Sequence, residues 1–141
     1  MSEKTASIEE AIDNLPREQC YICWTYLNDA PPKQSRSMDE LRHDHHEYLL
    51  DLERLGILLG AGSLRDEEGK RHGAGMFIIR AKTRKEAETL AFKEPYVAAG
   101  IRTVELTPWQ RSAGSITLTL QFSNGHLKAD TREFTLTAKR D

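Results

Sequence analysis

The chain has 141 residues, 38% of them hydrophobic and 30% charged, with a formal net charge of -2, which fits one soluble domain large enough to build a core without metal or disulfide staples. That charge argues against a nucleic-acid or anionic-membrane surface, and the longest apolar runs, Ile57-Leu58-Leu59 and Met76-Phe77-Ile78-Ile79, are too short to span a bilayer. The opening Met1-Ser2-Glu3-Lys4 lacks the charged start and apolar run of a secretory signal, so the expected compartment is the cytoplasm, where thiols stay reduced.

In chain order, Ser7-Ile8-Glu9-Glu10 is a capping box that predicts a short helix from Ile8 to Asn14, stopped by Pro16. Cys20 to Leu27 reads as the first strand, and Asn28 to Arg36, with Pro31-Pro32, as a loop. Ser37-Met38-Asp39-Glu40 is a second capping box. It opens a helix to about Leu55, with Gly56 as its stop. Ile57 to Leu64 is the next strand, Arg65 to Gly73 a charged loop, and Gly75 to Arg80 a strand. Thr83-Arg84-Lys85-Glu86 caps a further helix that Glu94-Pro95-Tyr96 breaks, and Ile101 to Thr107 is a strand closed by Pro108-Trp109. The order β-α-β-β-α-β is the ferredoxin-like arrangement of the α+β class. Beyond it, Ile116, Leu118, Leu120 and Phe122 alternate with polar residues, Asn124-Gly125 signals a turn, and Phe134 to Thr137 reads as a closing strand. The tail therefore predicts an appended β-hairpin.

One residue stands out in the second helix. Leu41, Tyr48, Leu49, Leu52 and Leu55 recur at helical spacing, and position 45, which completes the stripe, is a histidine. A histidine on an apolar face is either a satisfied core residue or a functional one. It needs a partner for one ring nitrogen, which fixes its tautomer and leaves the other free to trade a proton with a ligand. Arg42, one turn earlier, can reach an anionic group on a ligand or form a surface ion pair. His43, His46 and Glu47 share the polar face of the helix, and a solvated face rather than a metal site is expected there. Cys20 and Cys23 stand three apart on a strand and so point to opposite faces, which argues against a redox or zinc pair. No metal or other cofactor is expected. Gly60 and Gly62 do not open a helix, so a phosphate-cradling loop is not expected either.

The run Arg42-His43-Asp44-His45, continuing through Leu49 and Leu52 to Leu58-Leu59-Gly60-Ala61-Gly62, resembles the pattern of the YciI-like (YCII-related) family. Glu94-Pro95-Tyr96-Val97-Ala98-Ala99-Gly100 is similar to that family's Asp-Pro-Tyr-x-x-Ala-Gly segment, and Pro108-Trp109 to its Lys-Pro-aromatic end. The resemblance spans about 90 residues in the right order. It implies a dimeric α+β barrel, in which two ferredoxin-like sheets close face to face. It also implies a catalytic pair, carried over as His45 and Glu94, with Glu94 standing where the family usually has Asp. Tyr96 would line the same pocket.

The sequence therefore predicts an N-terminal helical extension over residues 1–19, a YciI-like domain over 20–109 and a C-terminal extension over 110–141. The expected function is cofactor-independent acid–base chemistry of lyase or isomerase type on a small molecule, using His45 and Glu94, with Arg42 and Tyr96 as substrate contacts. The same residues fit a non-catalytic small-ligand-binding module or an interaction module. Apolar residues on both faces of the strands predict a sheet covered on both sides and hence a homodimer, with neither nucleic acid nor membrane as partner.

Overall fold

The computed structural model describes residues 18–115, 118–129 and 132–135. The helix expected over Ile8 to Asn14 and the last residues of the expected closing strand lie outside them. Strand β1 runs Glu18–Leu27, helix α1 Met38–Arg54, strands β2 Leu58–Arg65 and β3 Arg71–Arg80, helix α2 Arg84–Lys93, the one-turn helix α3 Pro95–Ala98, and strand β4 Arg102–Arg111.

Side-chain caps set where the helices begin. The Ser37 hydroxyl accepts from the Glu40 N–H at 3.2 Å, and the Glu40 carboxylate accepts from the Ser37 N–H at 2.9 Å, a complete capping box. Thr83 caps α2 through the Glu86 N–H at 3.2 Å, but the Glu86 carboxylate reaches the N–H of Lys82 rather than that of Thr83. At the end of α1, Gly56 has a φ of 71° and turns the chain into β2. Leu55, expected on the apolar stripe, is exposed. It is the C-cap residue, where the helix has already ended.

The first four strands form one antiparallel sheet in the order β2-β3-β1-β4. Both helices lie on one face, which makes the fold the expected ferredoxin-like α+β arrangement. The core between sheet and helices holds Tyr21, Cys23, Leu52, Phe77, Ile79, Ala81, Ala87 and Ala91. Three alanines, Ala81, Ala87 and Ala91, let α2 lie close to the sheet. The larger side chains supply most of the stabilisation, at about 1.5–3 kcal/mol for each one fully buried. Tyr48 ties the helices together, its hydroxyl donating to the Leu90 carbonyl at 2.7 Å.

The strand register sorts the remaining side chains. Ile22 is opposite Ile78, Trp24 opposite Met76 and Cys20 opposite Trp109, so these residues share the face away from the helices. Cys20 and Cys23 do point to opposite faces, and both are free, buried thiols. Burial pushes both thiols up, Cys23 to about 12, while Arg80 and Arg111 partly offset the effect at Cys20.

Two expectations are corrected. Strand β4 does not close at Pro108-Trp109. It runs through both, with Pro108 opposite Tyr21 and Trp109 opposite Cys20. The strand is the edge of the sheet, where a residue without an N–H is tolerated. The tail is not a two-stranded hairpin either. Strands β5 (Leu118–Gln121), β6 (His126–Ala129) and β7 (Arg132–Thr135) form a second, three-stranded antiparallel sheet in sequence order. Asn124 and Gly125 do form the first turn, with Gly125 at a φ of 67°. Among the described residues no helix is long and apolar enough to cross a membrane.

Candidate active site

The site is built where α1, the α2–α3 junction and the four strands of the first sheet meet. Pro95 forces the residue before it into extended backbone, and Glu94 has a φ of -58° and a ψ of 126°. It is therefore both the C-cap of α2 and the N-cap of α3. Its carboxylate is almost fully buried. One oxygen, Oε2, accepts from the Val97 N–H at 3.1 Å, and the other, Oε1, accepts from Nδ1 of His45 at 2.5 Å. The extra methylene of Glu, relative to the Asp usual in the YciI-like motif, does not break the pairing.

His45 projects from the middle of α1 with about a quarter of its side chain exposed. With Nδ1 donating to Glu94, Nε2 of the neutral ring would carry the lone pair, and among the described residues Nε2 has no hydrogen-bond partner. The Tyr96 ring lies beside the imidazole, with centroids 4.6 Å apart and planes tilted by 30°. The Arg102 guanidinium also lies over the Tyr96 ring, 5.7 Å from its centroid. The backbone that carries Glu94 and Tyr96 is held from below. Gly100 has a φ of 74°, and a side chain there would meet the Pro32 ring at 3.0 Å. Asn28 donates to the Gly100 carbonyl at 2.9 Å, and Gln34 to the Ala99 carbonyl at 2.9 Å. The glycine closing the Glu-Pro-Tyr-x-x-Ala-Gly segment is thus required by a left-handed turn pressed against a proline.

These groups open onto a pocket of about 490 Å³, lined by Arg42, His45, Leu49 and His46 from α1, Glu94 and Tyr96 from the α2–α3 junction, and residues of all four strands of the first sheet. All four side chains singled out from the sequence, His45, Glu94, Arg42 and Tyr96, border this one cavity. Arg42 is bound to Asp39 at 3.2 Å on the exposed face of α1 and reaches the pocket only at its rim. His46, expected on the solvated face, is exposed but also borders the pocket, its ring edge-on to His45 with centroids 5.3 Å apart. Among the described residues no three His, Cys, Asp or Glu side chains converge as they would around a metal ion.

The sequence did not single out Thr25, Arg71 or Arg102, which also line the pocket. Each sits on a strand whose alternation gives no sign of a site. Only the register brings Thr25 opposite Gly75 and Arg102 opposite Leu27, on the helix-covered face. Tyr48, just behind the pocket, has its hydroxyl pushed up to about 12, by burial first and then by the nearby Glu94 carboxylate.

The chain is thus a ferredoxin-like α+β domain with a histidine–carboxylate pair at the rim of a mid-sized pocket. The profile of the YCII-related domain matches residues 20–110, and the chain belongs to that family. No curated protein matches the chain.

Proposed function

We propose that the pocket is an active site for cofactor-independent acid–base chemistry on a small organic molecule. The observation that carries this reading is the His45–Glu94 pair: a buried carboxylate holds one ring nitrogen, and the other is left unpaired beside a cavity. His45 exchanges the proton. Glu94 is a positioning residue that fixes the tautomer and, through Val97, the start of α3. In an isomerisation, Nε2 takes a proton from one atom of the substrate and returns it to another. In an elimination, the proton goes to Nε2 while the electron pair of its former bond forms the new double bond and expels the leaving group. Neither route needs an oxidant or reductant. Tyr96 forms a wall against which a planar substrate can stack.

Two copies of the chain pairing through the sheet face opposite the helices is part of the same proposal. That face carries Ile22, Trp24, Tyr26, Ile78 and Trp109, a large half-buried apolar area for a chain that stands alone.

The decisive test is His45→Ala. The side chain is partly exposed and lies outside the core cluster, so the variant should fold with the parent's far-UV spectrum, its stability lowered by about 1–3 kcal/mol for the partner that the buried Glu94 loses. It should lose turnover of any substrate found by screening hydroxylated ring compounds, by about 10²–10⁴-fold. Retained turnover at the parent rate would sink the acid–base reading.

A further inference from the structure

The arginines of this chain are unequally supplied with counter-charges. Arg36 pairs with Asp44, Arg54 with Asp51, Arg80 and Arg111 with Glu18, and Arg84 with Glu88. Arg71 and Arg102, on the strand side of the pocket, have no carboxylate partner among the described residues. Arg102 spends one N–H on the Gly73 carbonyl at 2.9 Å, and its other donors remain. The single lining carboxylate, Glu94, has both oxygens engaged by His45 and Val97. The pocket therefore presents unneutralised positive charge in a cleft, where low-dielectric walls strengthen its pull on an anion.

A second observation fixes where that anion sits. Thr25 is only 6% exposed and lines the pocket, yet its hydroxyl has no hydrogen-bond partner among the described residues. The hydroxyl itself opens onto the pocket, so a ligand there can supply its partner. The floor beside it is glycine. A side chain at Gly75 would meet Thr25 Oγ1 at 3.0 Å, the Gly62 carbonyl oxygen at 3.3 Å and Arg102 Nη1 at 4.0 Å. The hydroxyl and the guanidinium thus border one spot that glycine leaves empty.

We infer that the pocket is selective for small organic carboxylates, with the carboxylate group held between Thr25 and Arg102, Arg71 at the rim, and the rest of the molecule directed along Tyr96 toward His45. This rests on reading the pocket as a ligand site and adds the substrate class. Arg102 and Thr25 determine specificity; His45 does the chemistry.

The test uses the full-length protein and probes matched in shape, the amide replacing one charged acceptor oxygen by a neutral NH₂ donor: 4-hydroxybenzoate against 4-hydroxybenzamide, and benzoate against benzamide, followed by NMR of the histidine ring signals at millimolar concentration. The carboxylates should bind about tenfold or more tightly than their amides, the worth of a hydrogen bond to a charged group. Added salt should weaken the carboxylates and leave the amides unchanged. Thr25→Val, which keeps the shape of the side chain, should reduce carboxylate affinity about fivefold or more, and the exposed Arg71→Gln should reduce the salt dependence. Equal binding of acid and amide, with His45 signals moved by both, would overturn the carboxylate assignment and leave the acid–base reading in place. Failure of both to bind, or displacement of the benzoates by equimolar inorganic phosphate, would also overturn it. Carboxylate binding that survives in a His45→Ala protein supports this inference even if the acid–base reading has failed.

Discussion

Replacing Glu94 by Gln changes almost no volume and removes one acceptor, so its effect can be worked through atom by atom. The carboxylate accepts twice, from Nδ1 of His45 and from the Val97 N–H. An amide has one oxygen and one NH₂. If the oxygen faces His45, the NH₂ meets the Val97 N–H, donor against donor, in a buried site. That arrangement loses the cap of α3, about 1 kcal/mol, and leaves a buried donor unpaired, about 1–3 kcal/mol. If the oxygen faces Val97, the NH₂ meets Nδ1, and the ring avoids the clash by moving its proton to Nε2. A backbone N–H has no such alternative, so the second arrangement wins. The Glu94→Gln protein should lose only about 1 kcal/mol of stability, because relief from burying a charge offsets part of the lost bonding. The nitrogen facing the pocket then carries a proton in the neutral ring and is no longer a base, and turnover should fall about 10²–10⁴-fold. Two-bond ¹⁵N–¹H correlation spectra of the imidazole read the tautomer directly and need no substrate. Finding the same His45 tautomer in both proteins would refute the reasoning. Glu94→Asp serves as the control. It keeps a carboxylate and a favoured N-cap, restores the usual family residue, and should retain most of the activity.

Neither cysteine should react with a thiol reagent in the native protein at pH 8, because burial raises both thiols; reaction at the rate of the unfolded chain would contradict the packing of β1. The raised Cys20, Cys23 and Tyr48 also set an alkaline limit. Above about pH 9 the unfolded chain releases protons that the native state retains, so the stability present below that pH declines toward pH 12. Urea midpoints at pH 8 and pH 10 should show the fall, and an unchanged midpoint would refute it. Light scattering at micromolar concentration should give twice the mass of one chain; a monomer would remove the dimer from the proposal.

What was legible in the sequence was what local chemistry dictates. Ser37 and Thr83 announce helix starts because a hydroxyl there satisfies a free N–H, and Pro95 announces the break that places Glu94. His45 was visible because it interrupts an otherwise apolar stripe. The carboxylate half of its pair came from the Glu-Pro-Tyr motif, since no spacing rule links positions 49 residues apart. What stayed hidden depends on register. Arg102, Thr25 and Gly75 become neighbours only once β1 has found both its partners. Pro108 looked like a stop because its position at the sheet edge, the one place where it does not stop a strand, cannot be read from its neighbours.

Both tryptophans of the chain, Trp24 and Trp109, stand on the sheet face turned away from the helices, and the Trp24 indole is fixed by its N–H to the Thr107 hydroxyl at 3.1 Å. Neither lines the pocket. The single layer of sheet between them therefore separates two optical reporters. Indole emission follows whatever covers the open face, and if two copies pair there as proposed, dilution through the dissociation midpoint should shift it to the red. A ligand beside His45 meets Tyr96 and no tryptophan, so it should leave that emission nearly unchanged while altering tyrosine absorbance. Association and ligand occupancy can thus be titrated in one cuvette at two wavelengths, with no label attached.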